Sequence, residues 1–153
     1  MKKWLGLTIF FSLVLGLTGM AMAGDTVQVN VTANVMGTCK FNTGGTMAFG
    51  ALDPSIGVDV NAVVTQPTFW CTRGAGYSIA DDNGLYESGT TFRVKHALLA
   101  EYIPYTFTYT ATGTGNGPTS PISMNIAGTI LGADYAGASA GNYADTVTLT
   151  ITP

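Results

Sequence analysis

The chain has 153 residues, six basic and nine acidic, giving a formal charge of −3 with only 10% charged side chains. So few cations exclude the clustered Lys and Arg that phosphate neutralisation needs, and with it a nucleic-acid-binding surface. Twenty glycines beside 46% hydrophobic residues describe a turn-rich chain that packs a real but modest core, and a single domain is expected.

The first element is an export signal. Lys2 and Lys3 precede an apolar run over residues 5–17, and Ala21-Met22-Ala23 follows it; this is the charged, apolar, small-x-small order of a signal peptide over residues 1–23. The run is shorter than the roughly 20 residues of a membrane span, and no second run of its kind follows, so membrane insertion is not expected. Gly24 stands after the cut with no cysteine beside it to take a lipid. Loss of two lysines moves the formal charge to −5, and the mature protein is expected to work outside the cytoplasm.

The mature sequence opens on a strand pattern. Val27, Val29, Val31, Ala33 and Val35 alternate with Thr26, Gln28, Asn30, Thr32 and Asn34, the period of a ribbon with one apolar face. Such a ribbon can pair within its own domain or reach a neighbour, and the pattern alone does not choose. Asn30-Val31-Thr32 also fits a glycosylation sequon, a pattern too common by chance to carry weight.

Cys39 and Cys71 are the only cysteines. Export places them in an oxidising compartment, which predicts that they pair; two free buried thiols are the rival reading. A redox role is disfavoured because the C-x-x-C spacing is missing.

Alternation continues through the rest of the chain. Tyr105, Phe107 and Tyr109 alternate with threonines, and Ile122, Met124 and Ile126 with Ser123, Asn125 and Ala127. Turn signals punctuate them at residues 42–45, 53–55, 73–76, 81–84, 113–118 and 132–142. Residues 92–102 are ambiguous. Near the end Tyr143, Val147, Leu149 and Ile151 alternate with Thr146, Thr148, Thr150 and Thr152. Many short strands at close spacing predict an all-β sandwich or barrel.

Candidate chemistry is sparse, and no catalytic, cofactor-binding or metal-binding residue is assigned. The one histidine, His96, sits between Lys95 and Ala97 without a partner constellation, and nothing marks a nucleophile elbow or a zinc cluster. Asp81-Asp82-Asn83-Gly84 lacks the alternating ligand spacing of calcium loops and reads as a turn. Trp70, beside Cys71, reads as core or near-core rather than as a sugar-stacking platform.

Gly37-Thr38-Cys39, Met47-Ala-Phe-Gly-Ala-Leu-Asp-Pro54, Phe69-Trp-Cys-Thr-Arg-Gly74, Ile103-Pro-Tyr105 and the closing Gly141-Asn-Tyr-Ala-Asp-Thr-Val147 block together resemble the spore coat U domain family, which includes the pilin subunits of archaic, Csu-type chaperone-usher systems. The resemblance covers essentially the whole mature chain. It implies an incomplete immunoglobulin-like Greek-key sandwich over residues 37–153, lacking one strand and completed by a donor strand from another subunit. It assigns donation to residues 24–36, with Val27, Val29, Val31, Ala33 and Val35 as the inserted side chains. The disulfide falls on Cys39 and Cys71, and the chaperone-contacting groove edge includes Val147, Leu149 and Ile151. The implied partners are a periplasmic chaperone, an outer-membrane usher and neighbouring subunits in a head-to-tail homopolymer. The implied location is the cell surface, reached through the periplasm. The reading that follows is a structural shaft pilin supporting attachment and biofilm formation, without enzymatic activity or cofactor. A secreted coat or matrix protein of the same fold is the runner-up, and a carbohydrate-binding module the third.

Overall fold

A computed structural model describes residues 24–153 of the chain; the signal-peptide reading of residues 1–23 lies outside the described residues. Asn34–Pro153 forms one compact unit, and the residues up to Ala33 belong to another. In that first unit residues 24–33 carry no assigned strand. Val27 and Val31 are each 88% exposed.

Thirteen short strands frame the second unit: β1 (Cys39–Thr43), β2 (Thr46–Ala48), β3 (Val60–Asn61), β4 (Val63–Thr65), β5 (Thr68–Cys71), β6 (Gly76–Asp81), β7 (Phe92–His96), β8 (Tyr102–Tyr105), β9 (Thr112–Thr114), β10 (Ile122–Ser123), β11 (Thr129–Ile130), β12 (Tyr143–Ala144) and β13 (Leu149–Thr152). One helix occurs among the described residues: α1 (Gly132–Tyr135) stands where the sequence predicts only a loop, and it buries Tyr135.

All strand pairs are antiparallel, and they fall into two layers. In one, β1 lies on β5 and β2 on β4, while β5 and β3 lie on β10 and β11. In the other, β12 and β13 lie on β7 and β6, which pair onward with β8 and β9. Residues 102–114 link the layers, since Thr106, Thr108 and Thr110 bond across to Thr129, Ala127 and Met124.

The layers meet over two apolar clusters whose members come from alternate positions along the strands. Phe69, Cys71, Tyr77, Ile79, Met124 and Ile126 form the first; Ile103, Tyr105, Ile130 and Tyr135 form the second. Cys39 and Cys71 face each other across the β1–β5 ladder and are disulfide-bonded.

Two irregularities shape this framework. Asn125 adopts a left-handed φ of 55° between Met124 and Ile126, which both face inward, with 0% and 6% exposure. The ladder fails there, and the Gln66 carboxamide replaces it: Gln66 Nε2 donates to the Ile126 carbonyl at 2.8 Å, and the Ile126 N–H donates to Gln66 Oε1 at 2.7 Å. Second, the predicted C-terminal strand is interrupted. Ladder pairing stops over residues 145–148 because the partner strand is split by residues 82–91. Carboxylates take over: the Thr148 and Gly84 N–H groups donate to Asp82 Oδ1, and the Leu85 N–H donates to Asp145 Oδ1.

Candidate functional site

Strand order leaves two free edges facing each other. Among the described residues β1 pairs only with β5 and β2 only with β4, while β12 pairs only with β7 and β13 only with β6. An antiparallel partner satisfies one row of backbone N–H and C=O groups and leaves the other row open. Between these edges runs a groove of about 1250 Å³. Phe41, Met47 and Phe49 line one wall, and Tyr143, Val147 and Leu149 the other. Its floor includes Ile103, Phe107, Ile126 and Ile130.

Local sequence keeps the walls in place. The first wall turns at Gly44-Gly45, where the chain passes so near Pro67 that a Cβ on Gly45 would lie 2.6 Å from its Cδ. On the other wall the inward residues are Tyr143, Asp145, Val147, Leu149 and Ile151, each only partly exposed between exposed neighbours. Asp145 is the polar member of that row, and its Oδ2 accepts from the Tyr105 hydroxyl at 2.7 Å. Burial, then this bond, raises the Tyr105 phenol above the ordinary tyrosine range.

At one end the walls close together. Gly37 lies within van der Waals reach of Pro153, 3.5 Å from where its Cβ would be, and this end also carries the disulfide and the Thr38 N–H bond to Thr72 Oγ1. Groove-lining residues begin only beyond it, at Phe41 and Leu149. Toward the opposite end the wall reaches residues 138–142, which are fastened to the turn after β7. The Ala97 N–H donates to the Asn142 carbonyl at 2.8 Å, and the Ser139 N–H to Glu101 Oε1 at 2.8 Å. Hydrogen bonds from Ser139 hold the Glu101 carboxyl below the usual carboxylate range.

Of the sequence-predicted edge residues, Val147 and Leu149 line the groove. Ile151 instead packs against the first core cluster. Val29 and Val35 are 78% and 81% exposed, and no ladder includes residues 27–35 among the described residues. Phe41, Met47, Phe49 and Asp145 were not singled out from sequence as groove residues. Alternation through Met47 and Phe49 was the available signal, and Asp145 occupies the inward phase between Tyr143 and Val147.

The remaining candidates have structural partners. His96 is 5% exposed; its Nδ1 accepts from the Leu98 and Leu99 N–H groups at 3.0 Å each, which leaves Nε2–H to donate to the Ala140 carbonyl at 3.2 Å. Residues 81–84 form a turn in which Asp81 and Asp82 accept from the N–H groups of Asn83 and Gly84. No cluster of three or more metal-ligating side chains occurs among the described residues. Trp70 is half-buried, opposite Lys40, on the face of β5 away from Phe69 and Cys71, so of the expected core or near-core positions it takes the near-core one, on the outer side of the strand.

Comparison with solved structures gives several similar chains, among them one in the crystal structure of the CsuC-CsuE chaperone-tip adhesion subunit pre-assembly complex from archaic chaperone-usher Csu pili of Acinetobacter baumannii. It is 16% identical, with a TM-score of 0.45, over 76% of this chain and 40% of that one; this chain therefore spans less than half of its length. No curated protein sequence matches. The Spore Coat Protein U domain matches residues 25–150, nearly the whole described chain, and the protein belongs to that family.

Proposed function

We propose that this protein is a structural subunit of an extracellular pilus, joined head to tail by insertion of one subunit's residues 27–35 into the groove of the next. The observation that carries this reading is the pairing of an apolar groove between two free strand edges with an alternating valine ribbon that has no ladder of its own. An inserted strand would take main-chain hydrogen bonds from both walls and set its register through alternate side chains.

Energetics favour a groove formed in advance. Burying four valines contributes roughly 6–12 kcal/mol gross, and ordering about ten backbone residues costs a comparable amount. An acceptor whose walls are already held apart removes the ordering cost on its own side. The same open edges are an aggregation hazard until filled, which is the physical case for a periplasmic chaperone that occupies the groove first and an outer-membrane usher that exchanges it for the next subunit.

The closed disulfide end supports one direction of insertion. The donor's body follows directly after residue 36, so it must lie outside the acceptor's groove at the end away from Pro153. The inserted ribbon then runs antiparallel to β13, with Val27 toward the closed end and Val35 toward the mouth. Donor ribbon and groove are different surfaces, so the contact is heterologous and propagates as an open filament. We assign the repeating shaft role, with surface attachment and biofilm formation as the fibre's use.

Material released from the cell surface, heated short of full denaturation and run on a gel, tests this. Strand exchange is expected to give a ladder of stable multimers. A lone monomer band would sink the proposal and favour the coat-protein or sugar-binding readings.

A further inference from the structure

Beside the groove mouth stands an apolar hairpin tip that nothing in the strand-exchange contact uses. Leu98 is 89% exposed and Leu99 46%, although both lie on a turn that is firmly held. Their N–H groups are drawn inward onto His96 Nδ1, the His96 N–H donates to the Glu101 carbonyl at 2.9 Å, and Ala97 is bonded to Asn142. With the backbone donors turned in, the leucine side chains are left outside. The turn is fastened to residues 139–142, and these line the mouth. A rigid, exposed pair of leucines at that place is an unsatisfied apolar surface, not a mobile loop.

We infer that the Leu98–Leu99 tip is a second contact between successive subunits, docking against the disulfide-bearing end of the subunit that donates its strand. This rests on the donor-strand reading above and adds an interface to it. Tether length is the first argument. Only Met36, Gly37 and Thr38 separate the inserted ribbon from β1, and three residues span at most about 10 Å. The donor's body is therefore held against the acceptor's mouth, where the tip projects, and the part of it that arrives there is its own closed end.

That end has the matching character. Met36 is 76% exposed, and its carbonyl accepts from Thr72 Oγ1, which keeps it beside the exposed Pro153 and half-exposed Ala75, both in contact range of Gly37. Charge agrees as well. Exposed Arg73 stands on the same end, while Glu101 marks the base of the leucine tip. Lys95, the nearest cation to the tip in sequence, is instead turned over the Tyr86 ring, 5.6 Å from its centroid. The leucines would meet methionine and proline, and the carboxylate would face the guanidinium.

A photoreactive p-benzoylphenylalanine at position 98, in fibres of the full chain, tests the inference. After irradiation and complete denaturation, covalent dimers are expected whose linked peptide contains residues 36–38, 72–75 or 153. Leu98→Asp supplies a second measurement: fibres should still assemble, but their lifetime under heat or denaturant should fall about tenfold or more, the scale of one leucine's burial. Fibres that form a multimer ladder yet give no crosslink, or link elsewhere, overturn the tip contact and leave strand exchange standing; unchanged fibre lifetime in Leu98→Asp does the same. A wild-type chain that yields no ladder overturns both.

Discussion

The Tyr105 hydroxyl donates to Asp145 Oδ2 at 2.7 Å, joining the floor of the groove to its C-terminal wall. Asp145 also accepts from the Leu85 N–H, so one carboxylate holds the interruption between β12 and β13 in shape. Asp145→Ala is expected to lower stability by about 1–3 kcal/mol through loss of charge-assisted hydrogen bonds. Denaturant unfolding checks this. Unchanged stability would show that the wall stands without the pair.

Alkaline titration should separate the tyrosines. Burial first, then the bond to Asp145, raises Tyr105; burial first, then Asp81, pushes Tyr109 up to about 12. Their folded values exceed the unfolded value near 10. The neutral phenols therefore contribute stability that is fully present below pH 10 and is lost as pH rises through the folded values. Absorbance near 295 nm should show Tyr105 and Tyr109 ionising late, in step with loss of near-ultraviolet circular dichroism. Ionisation of all seven tyrosines before any unfolding would contradict it.

Gln66 should prove more important than a half-buried amide usually is. Gln66→Ala leaves the Ile126 N–H and carbonyl without their partner, at about 1–3 kcal/mol for each group stranded in the interior. Gln66→Glu keeps the acceptor and loses the donor, so its melting temperature should fall between wild type and Gln66→Ala.

Val31→Asp addresses the donor ribbon. Val31 is 88% exposed and lies in the unit up to Ala33, so the substitution should leave the melting temperature of the remaining domain within about 2 °C, since exposed changes lie within about 0.5 kcal/mol. Multimers should vanish from the gel and the chaperone complex should persist. Normal fibres from this variant would count against donation.

The covalent link can be tested directly. Thiol labelling of the unreduced, unfolded chain should find no free cysteine, because Cys39 and Cys71 are paired. Cys39→Ser with Cys71→Ser should cost about 2–4 kcal/mol.

Strand-rich architecture, the disulfide and the inward phase of Val147, Leu149 and Ile151 were readable from sequence, because alternation reports burial directly and the expectation of export implies an oxidising compartment for the two cysteines. Asp145 was not readable. An acid in an apolar phase looks like a break in the pattern until Tyr105, forty residues earlier, is seen to donate to it. Gln66 was hidden for the same reason, since its partner is the backbone of Ile126 and backbone bonds leave no residue-type signature. The groove itself is a property of strand order, and periodicity describes each strand without naming its neighbours. Residues 132–135 were read as loop because a single helical turn carries no period.

The closing strand has a kinetic consequence. Thr152 registers with Ser78 and Leu149 with Asp81, so the sheet around β6 is completed only by a strand that lies far along the chain from it. Topologies dominated by such distant pairings fold in milliseconds to seconds. Native pairing around β6 should therefore be a late event, and refolding of the unreduced domain should be slow beside that of a helical bundle of equal length.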